Sequence, residues 1–125
     1  MTVEKVLALF DKETENDTPV ELKEQWISEL DKKIASELNK GREGLTFEAY
    51  MPGDDASTKL NAPEEYSEIY LIYLKMKMNY MLSEIERYNN SASVFNRLFY
   101  EMANYISRNF KFHKNNSIKV ELNNV

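Results

Sequence analysis

Between Ala62 and Tyr88 the apolar residues fall on two separate helical seams, and this limits the fold more than any other feature of the chain. Leu71, Leu74, Met78, Met81, Ile85 and Tyr88 recur at alternating steps of three and four, and so do Tyr66, Ile69, Tyr73, Met76 and Tyr80. At about 100° per residue the second seam lies roughly 140° from the first. A surface helix needs one apolar stripe. Two stripes describe a helix sandwiched inside a bundle, or one that turns a face to another subunit. Ala62-Pro63-Glu64-Glu65 suits the start of this helix, with Pro at the first helical position and acids on the positive end of the dipole. Continued to Tyr88 it spans ~37 Å.

The other segments supply its neighbours. Thr2 can cap a first helix whose stripe is Val3, Val6, Leu7 and Phe10, ended by the polar run Glu13–Asp17. Thr18-Pro19-Val20-Glu21 predicts a capping box with Pro at the first helical position. The second helix that follows buries Leu22, Trp26, Ile27, Leu30, Ile34 and Leu38, leaves Lys23, Glu24, Asp31, Lys32 and Lys33 in water, and stops near Gly41. After the third helix, Tyr88-Asn89-Asn90-Ser91-Ala92-Ser93 reads as a short break, with a fourth helix from Ser91 to Asn109 doubling back as a helical hairpin. Its stripes are Phe95, Leu98, Met102 and Tyr105, and beside them Phe99, Ala103, Ile106 and Phe110.

Two segments break the pattern. Residues 41–62 hold Gly41, Gly44, Pro52, Gly53, Asp54 and Asp55, which stop helices, yet also Leu45, Phe47, Tyr50, Met51 and Leu60, which a polar linker would not need. They read as an ordered extended loop packed on its own domain or on a partner, with a short strand at 45–50 as a further option. In the tail, Ile118, Val120 and Leu122 alternate with Lys119 and Glu121, the pattern of a short strand, which needs an edge to pair with: the 45–50 segment, a neighbouring copy, or none, leaving the tail disordered. The expected fold is therefore all-α: a bundle of about four helices with a long hairpin of helices three and four, a single domain over 1–110, and a C-terminal arm over 111–125.

Composition narrows the function. With 125 residues the chain can bury a core unaided. It has no cysteine, so disulfides and thiolate chemistry are excluded. No segment approaches the ~20 apolar residues of a membrane span, and Met1–Val6 lacks an apolar signal core, which points to the cytoplasm. The net charge of −5 argues against broad nucleic-acid binding, and no sequence-specific nucleic-acid partner is expected. Residues 1–65 carry 16 acidic and 8 basic side chains, a net −8, while residues 66–125 carry 5 and 8, a net +3. The halves can attract within one fold or, head to tail, between copies.

Catalytic chemistry finds little support. His113 is the one histidine. Glu64, Glu65, Glu68, Glu84 and Glu86 lack the Glu-x-x-His pairs of a di-iron bundle. No phosphate-cradling glycine motif occurs, and Asp54-Asp55 lacks the rest of a calcium loop. No enzyme activity, cofactor or metal is expected. The candidate contact surface for other chains comprises Tyr66, Ile69, Tyr73, Met76 and Tyr80 of the second seam, Phe47, Tyr50 and Met51 of the loop, and Ile118 and Val120 of the tail. Tyrosine suits such a place, since it buries a ring and keeps its hydroxyl wet.

Three strings carry a family resemblance: Leu60-Asn61-Ala62-Pro63-Glu64-Glu65-Tyr66-Ser67-Glu68-Ile69-Tyr70-Leu71-Ile72-Tyr73-Leu74, then Glu84-Ile85-Glu86-Arg87-Tyr88-Asn89-Asn90-Ser91, then Phe95-Asn96 with the Tyr105–Arg108 stretch. Together with Trp26-Ile27-Ser28-Glu29-Leu30-Asp31 they make residues 18–110 resemble small head–tail connector, or neck adaptor, proteins of phages and prophages of Gram-positive bacteria. The tail after Phe110 departs from that pattern. The resemblance implies a virion protein, present in the host cytoplasm during assembly. It would join copies of itself in a ring on the portal, receive the next neck or tail protein, and touch DNA only passively in the channel. A minor virion protein of another kind and a helical regulatory binder, antirepressor-like or antitoxin-like, are the competing expectations.

Overall fold

The reversal of the chain at Leu82–Glu84 organises the molecule. A computed structural model describes residues 1–41, 46–111 and 121–122. Its four helices are α1 (Val3–Glu13), α2 (Val20–Asn39), α3 (Ile69–Met81) and α4 (Ile85–Asn109), with a single 3-10 turn at Glu64–Tyr66 ahead of α3. The all-α bundle and its α3–α4 hairpin are as expected. No helix of the described residues is long and apolar enough to cross a membrane.

α3 is the central helix. Ile69, Tyr70, Tyr73, Leu74, Met78 and Asn79 are buried on all its sides, and it packs on α1, α2 and α4. Its two seams are therefore those of a sandwiched helix along most of their length. α1 contributes Val3, Val6 and Phe10, and α2 contributes Trp26, Ile27, Leu30, Ile34 and Leu38. Burying such side chains is worth roughly 1.5–3 kcal/mol each.

The hairpin turns earlier than the sequence suggests. α3 ends at Met81, and Tyr88-Asn89-Asn90-Ser91 lies inside α4 rather than between helices. Cross-helix neighbours show why. Tyr73 and Phe95 have ring centroids 5.2 Å apart, Tyr80 and Tyr88 5.5 Å, and Tyr66 and Tyr105 5.3 Å. An antiparallel pair that brings Phe95 onto Tyr73 must reverse midway between them, at residue 84. The stop is a Schellman arrangement: Ser83 N–H donates to the Tyr80 carbonyl (3.0 Å) and Glu84 N–H to the Asn79 carbonyl (2.9 Å), with Ser83 at φ 58°. The carbonyl of Glu84 then accepts from Tyr88 N–H at 2.8 Å and opens α4.

Other expectations need local correction. Thr2 caps α1 by accepting from Lys5 N–H at 3.3 Å. The capping box at Thr18 does not form: Pro19 is the N-cap of α2, its carbonyl accepts from Leu22 and Lys23, and Thr18 N–H donates to Asn16 Oδ1. Lys23 and Asp31 are buried rather than wet. The described part of the 41–62 loop packs on its own domain and holds no strand at 46–50. The tail forms a two-residue antiparallel pair of β1 (Phe110–Lys111) with β2 (Glu121–Leu122), so its partner is the chain just before it. Leu45, His113, Ile118 and Val120 lie outside the described residues.

Candidate protein-contact site at the hairpin tip

Folding uses up most of the candidate contact residues. Ile69 and Tyr73 are buried in the core. Tyr73 also hydrogen-bonds Glu29 Oε1 at 3.1 Å, and burial with the Glu29 charge pushes its hydroxyl up to about 12. Tyr66 and Met76 are half-buried against the same core. In the loop Phe47 is half-buried, Tyr50 is enclosed, and Met51 is exposed.

The loop is held by polar side chains of α2, which the apolar pattern could not reveal. Asn39 stands in for a paired strand: its Nδ2 donates to the Phe47 carbonyl (3.1 Å) and its Oδ1 accepts from Phe47 N–H (2.7 Å). Asp31, fully enclosed, accepts from Tyr50 N–H at 2.8 Å, Asn61 N–H at 3.0 Å, Asn61 Nδ2 at 3.0 Å and Tyr70 Oη at 2.6 Å. Burial and the Asp31 charge push the Tyr70 hydroxyl far above its ordinary range. The far end of the loop gives its Ala56 and Thr58 carbonyls to the first-turn N–H groups of α1, Glu4 (2.9 Å) and Val3 (3.2 Å). Between these clamps Met51-Pro52-Gly53-Asp54 forms a turn closed by Asp54 N–H on the Met51 carbonyl at 2.9 Å, with Gly53 at φ 99°. Pro at the second place and a left-handed Gly at the third are the residues of a type II turn.

What folding leaves open is concentrated at one place. Of the eight large apolar side chains that stay exposed among the described residues, four are consecutive or nearly so at the α3–α4 corner: Tyr80 (69%), Met81 (46%), Leu82 (55%) and Ile85 (69%). Tyr80 and Tyr88 stack at the edge of the corner, and Glu84 and Asn89 border it. A single exposed Leu needs no explanation, but four such side chains within six residues of one turn make the corner the candidate contact surface. Tyr80 was legible as part of a seam. Met81 and Ile85 were read with the opposite seam and Leu82 with neither, because the turn that brings them to one corner was placed too late.

A cleft of 640 Å3 between the C-terminal end of α1, α3 and α4 has a different character. Glu13, Glu15, Glu84, Lys75 and Arg87 line it, a mixture of signs. Its buried polar pair is Asn79 and Ser91: Asn79 Nδ2 donates to Ser91 Oγ (2.9 Å), and Ser91 Oγ donates to the Arg87 carbonyl (2.9 Å). The Ser91 proton is thus committed to the helix backbone rather than to a general base. Among the described residues no group of three or more metal-ligating side chains comes together.

The surface is therefore best defined at the corner, where geometry offers apolar side chains rather than reacting groups. No protein-family model, curated protein or solved structure matches the chain.

Proposed function

We propose that this chain is a structural assembly protein of a phage or prophage, a head–tail connector subunit that docks other particle proteins through the tip of its α3–α4 hairpin. The observation that carries the reading is the exposed apolar tip: Tyr80, Met81, Leu82 and Ile85 stand in water at the end of two rigid helices. Burying apolar surface is worth roughly 25 cal/mol per Å2, so such a tip lowers its free energy by meeting another chain. The resemblance of residues 18–110 to neck adaptors supports the particular setting, a ring on the portal that receives the next neck or tail protein. The net charge of −5 suits a protein that lines or borders a DNA channel without adhering to DNA.

Removing the chain from an inducible prophage that encodes it tests the reading. DNA-filled heads and free tails that fail to join are the expected outcome. Intact, infectious particles in normal yield overturn it, and an altered induction response with intact particles points to the regulatory reading instead.

A further inference from the structure

We infer that the hairpin tip of one copy seats in the α2–α4 groove of another copy, so that the chain associates head to tail. This rests on the assembly reading above and names the contact that would carry it.

The groove lies between α2 and α4 and is lined mainly by apolar side chains. Phe95, Phe99 and Ala103 floor it, Tyr100 stands on its α4 rim with 69% exposure, and Lys33 and Glu37 form the α2 wall. Lys32 and Ser36 continue that wall. Its volume of 300 Å3 is at the floor of the roughly 300–1,000 Å3 typical of small-molecule sites. A few apolar side chains of another protein fit it better than a ligand does.

Charge selects which protein segment. Glu37 is paired with Lys40 at 2.7 Å, so Lys32 and Lys33 give the groove a net positive rim. At the tip Arg87 is paired with Glu84 at 3.4 Å, so Glu86 gives the tip a net negative one. An apolar-acidic tip and an apolar-basic groove are complementary, whereas two tips or two grooves would bring like charges together. The chain cannot close this contact on itself. Ile85 and Tyr100 lie on the same straight helix, about 22 Å apart at roughly 1.5 Å per residue. The partner tip therefore comes from a second copy, and because the two surfaces differ, the contact is heterologous and propagates into a ring or an open chain.

Two variants and their mixture test this by sedimentation velocity. Leu82→Ser with Ile85→Ser disables the tip, and Lys32→Glu with Lys33→Glu disables the groove. All four positions are exposed, so both variants should keep the helical circular dichroism of the parent; if the tip variant loses it, Glu86→Lys takes its place. The parent chain should form species larger than a monomer that weaken as salt rises. Each variant alone should be monomeric. Mixed one to one, they should form a heterodimer and nothing larger, since one working tip meets one working groove and the two remaining surfaces are disabled. A parent that stays monomeric up to about 1 mM, the level of a ~4 kcal/mol contact, overturns the inference. So does a tip variant that still self-associates, or a mixture that stays monomeric. A parent that assembles by another surface defeats this contact and leaves the assembly reading standing, because that reading is tested separately by the particle phenotype.

Discussion

Among the described residues Asp31 meets four hydrogen-bond donors and no cation, and what it does follows from who those donors are. Tyr50 and Asn61 belong to the two ends of the 46–62 loop, and Tyr70 belongs to the central helix. One carboxylate thus ties an irregular segment to the bundle. Tyr50 N–H and Tyr70 Oη meet it in the buried interior, where each donor left without a partner costs about 1–3 kcal/mol, so Asp31→Ala should destabilise the fold by at least about 2 kcal/mol in urea denaturation. A loss under 1 kcal/mol would contradict this account of the loop. Tyr50 presents the converse case: its ring fills the core while its buried hydroxyl has no hydrogen-bond partner among the described residues. Tyr50→Phe removes a stranded polar group and should raise stability by about 1 kcal/mol in the same assay. Tyr73 adds a pH dependence. Its hydroxyl is raised from 10.0 to about 12, mainly by burial and then by the Glu29 charge. The folded state therefore holds this proton more tightly than the unfolded state does. Stability should be complete below pH 10 and fall as pH rises toward 12. Tyr73→Phe should make that fall shallower, with the raised Tyr70 hydroxyl supplying the remainder, measured by thermal melts across the range.

None of these roles was visible as a pattern. Asp31 and Lys23 occupy helix positions that the apolar stripe assigns to water. Periodicity reports which face of a helix turns inward; it does not report which polar residues an irregular loop, or a neighbouring helix, comes to cover. Lys23 is buried against α1, where its ammonium meets Asp11 Oδ1 at 2.7 Å. That hydrogen bond is the main reason the Asp11 carboxyl is held below its usual range. Asp11 and Lys23 stand 12 residues apart on different helices, so their pairing had no local signature.

Among the elements, α1 and α2 were legible because a single stripe and its stops describe each of them. The hairpin was legible in kind and misplaced in position. Residues 82–90 are compatible with helix on either side of a break, and the asparagines at 89 and 90 are the more conspicuous helix-weakening residues. The true break depends on Ser83 accepting a left-handed conformation without being glycine. What forces it is the long-range match of Phe95 with Tyr73 and of Ser91 with Asn79, which no local window contains. A left-handed non-glycine residue costs roughly 1–2 kcal/mol, partly offset by the extra freedom a glycine has when unfolded. Ser83→Gly should therefore stabilise the chain by about 0.5 kcal/mol, and Ser83→Val, bulkier and β-branched, should destabilise it by roughly 1–2 kcal/mol. Thermal melts of the two variants check the sign, and a Val variant as stable as the parent would remove strain at the corner from the account.

For the molecule as a whole, the sequence made the helical class, the hairpin and the central helix legible, because two seams leave a helix few other places. The interplay of its oppositely charged halves is partly internal: Lys77 reaches Glu29 at 3.5 Å, and Tyr105 donates to Glu65 at 2.7 Å. The contact surface was legible only in part. The second seam mixes residues that the core absorbs, Ile69 and Tyr73, with one it leaves outside, Tyr80. Only the position of the turn separates them, and that same turn gathers Met81, Leu82 and Ile85 beside Tyr80.

The central claim is that this corner binds other proteins of a particle. The direct measurement is a paired affinity purification from induced cells of the source strain, with the parent chain and the folded Leu82→Ser, Ile85→Ser variant tagged alike and the eluates read by mass spectrometry. The account predicts portal, capsid or tail proteins with the parent and their loss with the variant. Equal recovery with both would contradict a role for the tip, and recovery of a repressor or toxin in place of particle proteins would contradict the connector reading itself.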